Sequence, residues 1–316
     1  MKRLNCKITV GNKLFRWATE INIQSSWKQF TDNVRITIPK NIRSGDVPIV
    51  NGANSLFKRG DKVSIELGYF PNLTKVFDGY ISDVKINTPI ELTVSDAMFL
   101  LKNKSFSNSW KKVSLNQLLT YITAGTGIEF NCPDADLGSF RVVNVTAVQI
   151  LDELKQTYFL DSFIQNGVLY VGRQYIAENE KIHAITIEKQ VIDNSLIWRD
   201  ETDIKIKLKA VSMLPDNTKI EIEVGDGDGE TRTAHYYNLD KKSLTDIATA
   251  EINKYKFTGF RGGFETFGEP VIQHGDLIEL KSLKIPERSG RYFVDSVETV
   301  FGMNGFRQKI ELGRKG

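Results

Sequence analysis

The stretch from Lys58 to Leu101, KRGDKVSIELGYFPNLTKVFDGYISDVKINTPIELTVSDAMFLL, decides the fold. Val63, Ile65 and Leu67 alternate with Lys62, Ser64 and Glu66, the period-2 pattern of a half-buried strand. Asp78-Gly79 sits beside a second run, Tyr80 to Ile86, and Pro89 opens a third in which Leu92 and Val94 alternate with Thr93 and Ser95. These runs predict a meander of short strands with turn chemistry between them.

The pattern returns near the C-terminus. Gly275-Asp276 leads into Leu277-Ile278-Glu279-Leu280 as Gly60-Asp61 leads into Lys62-Val63-Ser64-Ile65. Tyr292 to Val297 echoes Gly79 to Val84, and Lys309 to Leu312 echoes Glu91 to Val94. From the glycine to the valine is 24 residues in the first copy and 22 in the second. Identity is weak, but the order is kept, which points to one β-barrel module used twice with other structure between the copies.

Working outward, residues 7 to 40 alternate like strands at Ile8 and Val10, at Ile21 and Ile23, and at Val34, Ile36 and Ile38. Pro39 to Asn54 reads as loop. After Leu101 the period changes. Ser114 with Gln117 and Thr146 with Gln149 are capping boxes, each followed by an apolar helical face: Leu115, Leu118, Leu119 and Ile122 first, then Ala147, Ile150, Leu151 and Leu154. Asn166-Gly167 between Phe163-Ile164-Gln165 and Val168 to Val171 predicts a type I′ hairpin. Ile204, Ile206 and Leu208, then Ile220, Ile222 and Val224, predict another hairpin with a lysine row beside a mainly glutamate row. Such cross-strand pairs are worth roughly 0.2 to 1 kcal/mol each. A helix capped by Ser243 follows, at about 243–256.

The expected fold class is therefore α+β, mostly β: two similar β-barrel domains with a small α+β domain between them. The divisions fall at 1–105, 106–180 and 181–316, the last carrying the helix at about 243–256. No βαβ alternation runs through the chain, which argues against a nucleotide-binding parallel sheet.

The chain has 316 residues, 41% hydrophobic and 26% charged, as expected of a protein that buries several cores. A net charge of +3 does not by itself argue for nucleic acid or membrane. Cys6 and Cys132 lack CxxC spacing and are expected as reduced thiols. There is no apolar run long enough to span a membrane and no secretory h-region behind the basic N-terminus, so a cytoplasmic origin is expected.

Chemistry is sparse. His183, His235 and His274 have no metal-ligand spacing, and His274 is expected on a solvent-exposed turn. Gly225-Asp226-Gly227-Asp228-Gly229-Glu230 could present carboxylates to Ca²⁺, but it lacks the EF-hand register and reads better as a flexible loop. Asp83 with Asp96, or Glu265 with Glu269, could be imagined as a glycosidase dyad, yet nothing places either pair across a cleft. Arg261-Gly262-Gly263-Phe264 reads as a mobile or partner-binding loop. No GxSxG, P-loop or GxGxxG occurs. No residue is assigned a catalytic, cofactor-binding or metal-binding role, and no cofactor is expected.

Phe77-Asp78-Gly79-Tyr80-Ile81, Ser95-Asp96-Ala97, Ile150 to Leu154 with Tyr158 to Gly172, and Gly275-Asp276 with the terminal strands resemble the baseplate hub proteins of contractile-tailed phages, the Mu-like tail protein and late control protein D group. The resemblance covers most of the chain in order and spacing. It implies a structural, non-enzymatic homotrimer: a pseudo-sixfold ring joining a sixfold tail tube to a threefold spike, in the baseplate of a virion or prophage particle or a related contractile injection system, assembled in the bacterial host cytoplasm. DNA would pass through the lumen without specific binding, and no membrane anchor is implied. The chain ends at Leu312-Gly313-Arg314-Lys315-Gly316, so the spike is expected as a separate protein. The alternatives are a cell-wall (peptidoglycan) hydrolase or glycan-binding β protein and an OB-type nucleic-acid binder, which would need a basic, aromatic-studded face.

Overall fold

Alternating sequence becomes alternating burial from the first strands. β1 (Leu4–Val10), β2 (Lys13–Phe15), β3 (Glu20–Ser26) and β4 (Asn33–Ile38) turn Ile8, Val10, Ile21, Ile23, Val34, Ile36 and Ile38 inward. The computed structural model describes residues 3–39, 43, 44, 47, 48, 56–86, 89–158, 160–175, 182–214, 216 and 218–316. Most of the loop expected at Pro39 to Asn54 lies outside these residues, apart from a two-residue ladder of β5 (Arg43–Ser44) and β6 (Val47–Pro48).

The meander follows as β7 (Lys62–Tyr69), β8 (Thr74–Lys85) and β9 (Ile90–Ser95). Asp78-Gly79 is not a turn but lies inside β8, where a Cβ on Gly79 would overlap the Ser95 carbonyl of the neighbouring strand. The glycine permits close approach of two backbones rather than reversal of one.

Helix α1 (Met98–Lys102) leads into an α+β unit of β10 (Ser105–Ser114), α2 (Leu115–Thr123), β11 (Glu129–Asn131), β12 (Asp136–Thr146), α3 (Ala147–Tyr158), β13 (Ser162–Gln165) and β14 (Val168–Val171). Both capping boxes form: Ser114 accepts from the Gln117 N–H, and Thr146 from the Gln149 N–H. Asn166 and Gly167 take φ of 52° and 83°, the geometry a type I′ turn demands.

The last third begins with β15 (Ile182–Thr186), the short α4 (Ile187–Gln190), β16 (Val191–Asn194) and β17 (Ile197–Arg199). A separate sheet then interrupts it: β18 (Ile206–Met213) lies between β19 (Lys219–Gly225) and β20 (Glu230–Tyr237) and is covered by α5 (Lys241–Tyr255). The expected charge rows meet, with Lys209 2.7 Å from Glu221 and Lys207 3.5 Å from Glu223. Helix α5 is capped by Asp240 rather than Ser243, because the Asp240 carboxylate accepts the Ser243 N–H at 2.8 Å. The chain then returns through β21 (Gly259–Arg261), β22 (Gly263–Phe267), β23 (Leu277–Lys281), β24 (Gly290–Gly302) and β25 (Gly305–Lys315). Arg261 to Phe264 is thus not a mobile loop: Arg261 ends β21, Gly262 makes the break, and Gly263 and Phe264 begin β22. The Arg261 guanidinium is captured by the Tyr255 and Phe257 carbonyls over the Phe257 ring, and Phe264 is buried.

Apolar side chains gather in four clusters. One lies within the N-terminal meander, one in the α+β unit, one within the C-terminal meander and one between α5 and its sheet. Both meanders belong to one thirteen-stranded sheet whose main path runs β16-β22-β25-β24-β3-β4-β9-β8-β7-β1-β2. Among the described residues this pairing does not close on itself. The fold is mostly β with helices attached, and no helix among the described residues is long and apolar enough to cross a membrane.

The internal echo holds hydrogen bond for hydrogen bond. Gly60 (φ +91°) donates to Ile81 O and Ile81 N to Asp61 O; Gly275 (φ +85°) donates to Val294 O and Val294 N to Asp276 O. The Asp61 carboxylate accepts the Lys58 N–H at 2.9 Å, and the Asp276 carboxylate accepts the Gln273 N–H at 2.9 Å. β8 breaks register with β9 between Ile81 and Asp83, and β24 breaks register with β25 between Val294 and Ser296, so Ser82 and Asp295 occupy the same bulge. Val84 then faces Leu92 as Val297 faces Ile310. Continuing the match outward, Ile36 faces Leu92 and Ile21, while Phe264 faces Ile310 and Asn194. Asn194–Arg199 therefore stands where Ile21–Ser26 stands in the first half, split in two by a break at Ser195.

Candidate functional site

The place where sequence-distant chemistry converges is the seam between the two halves. β24 carries two partners along one edge: Leu277–Leu280 of β23 opposite Gly290–Phe293, then β3 opposite Ser296–Gly302. The seam is a continuous antiparallel ladder from Ser26↔Ser296 to Glu20↔Gly302. Its apolar side is closed by the tip of the β24–β25 hairpin. Phe301 and Phe306 leave their own half and insert into the cluster of the first, with ring centroids 5.7 Å apart.

Two polar groups of residues lie against the seam. At the bulge, Asp295 receives the Trp27 indole N–H at 3.1 Å, the Lys28 ammonium at 2.8 Å and the Tyr175 hydroxyl, while its carbonyl accepts from Ser26 Oγ at 3.3 Å. Burial and the neighbouring Asp295 raise the Tyr175 phenol, which therefore stays a donor. One carboxylate thus ties the end of β3 and the residue after β14's turn to the second half.

The other group is buried. Ser25 Oγ shares a hydrogen bond of 2.5 Å with Asp32 Oδ2 and lies 2.7 Å from His274 Nδ1. Asp32 also accepts the Ser26 N–H, and its own N–H is taken by Asp96, which accepts the Met98 N–H as well. Burial and the nearby Asp96 push Asp32 up to about 8, and burial pushes Asp96 up to about 7. Burial lowers His274 to about 4, so it is a neutral imidazole at pH 7. His274 is only 1% exposed, against the expectation of a solvent-exposed turn histidine. It packs edge-on to Phe163, and Gln165 Nε2 donates to its carbonyl at 2.8 Å. The turn itself is where sequence placed it, but its side chain points into the junction of three elements.

A cleft of about 580 Å³ opens beside this group, with Ser25, Asp32, Asp96, Lys62, Asp78 and Gln273 on its wall. The arrangement does not assemble a serine hydrolase. There the imidazole stands between hydroxyl and carboxylate; here the hydroxyl stands between imidazole and carboxyl, so no acid orients the histidine.

The other sequence candidates disperse. Asp83 is exposed on β8, whereas Asp96 is buried and committed to backbone N–H groups. Glu265 faces Arg307 at 3.8 Å, while Glu269 accepts the Tyr69 N–H at 3.3 Å. His183 pairs with Asp276 at 2.9 Å, and His235 lies on β20. In the Asp/Gly loop, Asp226 pairs with Lys256 at 2.6 Å and Asp228 with Lys205. No group of three or more metal-ligating side chains gathers among the described residues. The sequence reading missed Ser25, Asp32, Trp27 and Asp295. The only available signal was for Asp295, which matches Ser82 at the bulge of the repeat; Ser25, Trp27 and Asp32 lie in or after β3 and are brought to the seam by long-range pairing.

No known family profile matches the chain, and no curated protein matches it in sequence. Solved structures do. The tail protein of Neisseria meningitidis MC58 superposes with a TM-score of 0.66 at 13% identity, over 99% of this chain and 97% of that one. The 43 kDa tail protein of prophage MuSo2 from Shewanella oneidensis gives 0.63 at 14% identity, over 98% of each chain. The E. coli c3393 protein, a type VI secretion component described as similar to T4 tail proteins gp27 and gp5, gives 0.59 at 8% identity over 99% of this chain and 77% of that one. The chain has the fold of phage tail proteins along its full length.

Proposed function

We propose that this chain is a structural baseplate hub of a phage-type contractile tail. Three copies form a pseudo-sixfold ring that connects the tail tube to the spike. The observation that carries the reading is the repeat. Two halves with the same turn, bulge and strand order stand side by side across the β3·β24 ladder, so each chain offers two near-equivalent surfaces to a sixfold partner. The full-length likeness to tail proteins supports a structural, non-enzymatic role.

In this reading each half curls as a barrel-like sheet around its own cluster. The divisions at about residues 105 and 180 separate the two from the α+β unit. The remaining units present three surfaces to the spike, and DNA passes through the lumen without specific contacts. Assembly takes place in the host cytoplasm and the product resides in the virion baseplate or a related injection particle. Light scattering over a concentration series, repeated with the tube partner and followed by particle imaging, tests it. A trimer with a central channel is expected. A monomer that forms no ring even with the tube partner would refute it.

A further inference from the structure

The repeat leaves one contact unmatched among the described residues. β24 uses the edge beyond its bulge to pair with β3, Ser296 to Thr299 facing Ser26 to Ile23. The matching edge is Asp83 to Lys85 at the end of β8, with Ile86 directly after it, just beyond the matching bulge at Ser82. β7 pairs with β8 only as far as Tyr80, and no other described strand takes that edge afterwards. In the second half, the counterpart of β3 is Asn194–Arg199. Its β17 portion pairs with β21 on one side and with no described strand on the other.

We infer that the vacant edge of β8 is occupied by β17 of a second copy of this chain, in the register that β24 and β3 use within one chain. This rests on the hub reading and names the surfaces that close its ring. Transferring the register residue by residue puts Asp83 opposite Arg199, Val84 opposite Trp198, Lys85 opposite Ile197 and Ile86 opposite Leu196 of the second copy. The pairing is antiparallel. Its first pair is acid against base. Ile86, just past the end of β8, is 48% exposed, and Ile197 on β17 is 55% exposed; both would be covered when each edge gains a neighbour.

The contact is heterologous: the β8 edge of one copy meets the β17 edge of the next. Every half then has one edge of each kind, and the same ladder alternates within and between chains. Neither edge carries a proline, one of the devices that natural sheets use against unwanted pairing.

Disulfide trapping tests the register. Directly opposed residues of an antiparallel pair lie about 4.5–5.5 Å apart at Cα, within disulfide reach of about 4.4–6.8 Å. The variant carrying Asp83→Cys and Arg199→Cys is expected to give, on mild oxidation, a reducible ladder ending at three chains. The offset pair Asp83→Cys with Ile197→Cys, some 7–8 Å apart in this register, and either single variant are expected to give none; Cys6 is buried and Cys132 half-buried. Charge reversal is the second measurement. Asp83→Arg or Arg199→Asp alone is expected to weaken association by about tenfold without lowering Tm, and the double reversal to restore it. A trimer that forms but neither crosslinks at 83/199 nor responds to reversal overturns this register and leaves the hub reading standing. A chain that stays monomeric with its tube partner and gives no crosslink overturns both.

Discussion

Replacing Phe306 with alanine should unfold the half of the molecule to which it does not belong in sequence. Phe306 lies on β25, the last strand of the second meander, yet it is fully buried in the first cluster. Its ring meets Phe301 edge-on at 5.7 Å and Tyr69 at 6.1 Å, and Gly268 packs against its face so closely that a Cβ would overlap it. Truncating a buried phenylalanine costs about 3–5 kcal/mol when the site cannot collapse, and the backbone of Gly268 on one side limits collapse here. Against a stability of about 5–15 kcal/mol for a domain, that is a large fraction. At about 2–4 °C per kcal/mol for a cooperative unit of this size, Tm should fall by about 6–20 °C. The distinctive readout is hydrogen exchange. Protection should fall in β1 and β7 as well as in β25, because the hairpin tip holds the first cluster closed. Leu280→Ala, which truncates a fully buried residue of the C-terminal meander's cluster, should open β15 and β23 while β1 and β7 stay protected. Loss of protection confined to β22–β25 in the Phe306 variant, with β1 and β7 unchanged, would refute the reasoning.

Three further outcomes follow from the seam and the repeat. Asp32 holds its proton in the folded chain up to about pH 8 but releases it near pH 4 when unfolded, so its contribution is intact below pH 4 and is lost as pH rises toward 8, at about 1.4 kcal/mol per pH unit. Asp32→Asn should flatten the fall in Tm between pH 6 and pH 8, and an unchanged slope counts against the assignment. His274 acts with the opposite sign, its lowered value removing stability as pH drops from 6.5 toward 4. Asp61→Ala should cost about 1 kcal/mol by orphaning the Lys58 N–H; Asp276→Ala should cost about 1–3 kcal/mol, since His183 loses its partner too, with urea denaturation giving the order. Millimolar calcium should leave Tm unchanged, because Asp226 and Asp228 are each held by a lysine; a calcium-dependent rise would reopen the loop as a site.

What sequence disclosed was local chemistry. Gly60-Asp61 and Gly275-Asp276 were legible because a positive φ followed by a carboxylate that caps the turn leaves few residue choices. The helix starts at Ser114 and Thr146 were legible for the same reason. Ser243 misled because Asp240, three residues earlier, offers the stronger cap and lengthens the helix. Arg261-Gly262-Gly263 misled because glycine was read as freedom. In fact Gly262 takes a φ of +90° at the break between β21 and β22, and Gly263 lies against the Ile310 carbonyl with no room for a Cβ. His274 misled because burial of a turn side chain depends on Ser25 and Phe163, which reach it from positions more than 100 residues away. Whether the strands pair into one sheet or two rings is likewise set by contacts such as β3·β24, for which no local pattern exists.

The repeat explains why order along the chain carried more than identity. At the turn and just past the bulge the halves share a glycine, an aspartate and a valine: Gly60 with Gly275, Asp61 with Asp276, and Val84 with Val297. Within the meanders Ile81 matches Val294, Leu92 matches Ile310 and Ile65 matches Leu280, aliphatic residues that are interchangeable at a cost of about 1 kcal/mol, whereas further out Ile36 matches Phe264 and Ile21 matches Asn194. Side chains on the outer face are free to differ, and they do, Glu91 against Lys309 and Thr93 against Glu311. What cannot differ is the backbone: the turn that starts β7 and β23, and the bulge that rotates β8 and β24 so that one edge can serve two successive partners. A bulge adds one residue and bends the strand. Without it, β24 could not leave β23 and continue along β3. The same bulge at Ser82 bends β8 in the same way, and beyond it the edge of β8 has no second partner among the described residues, which is where the inferred neighbour would continue the sheet.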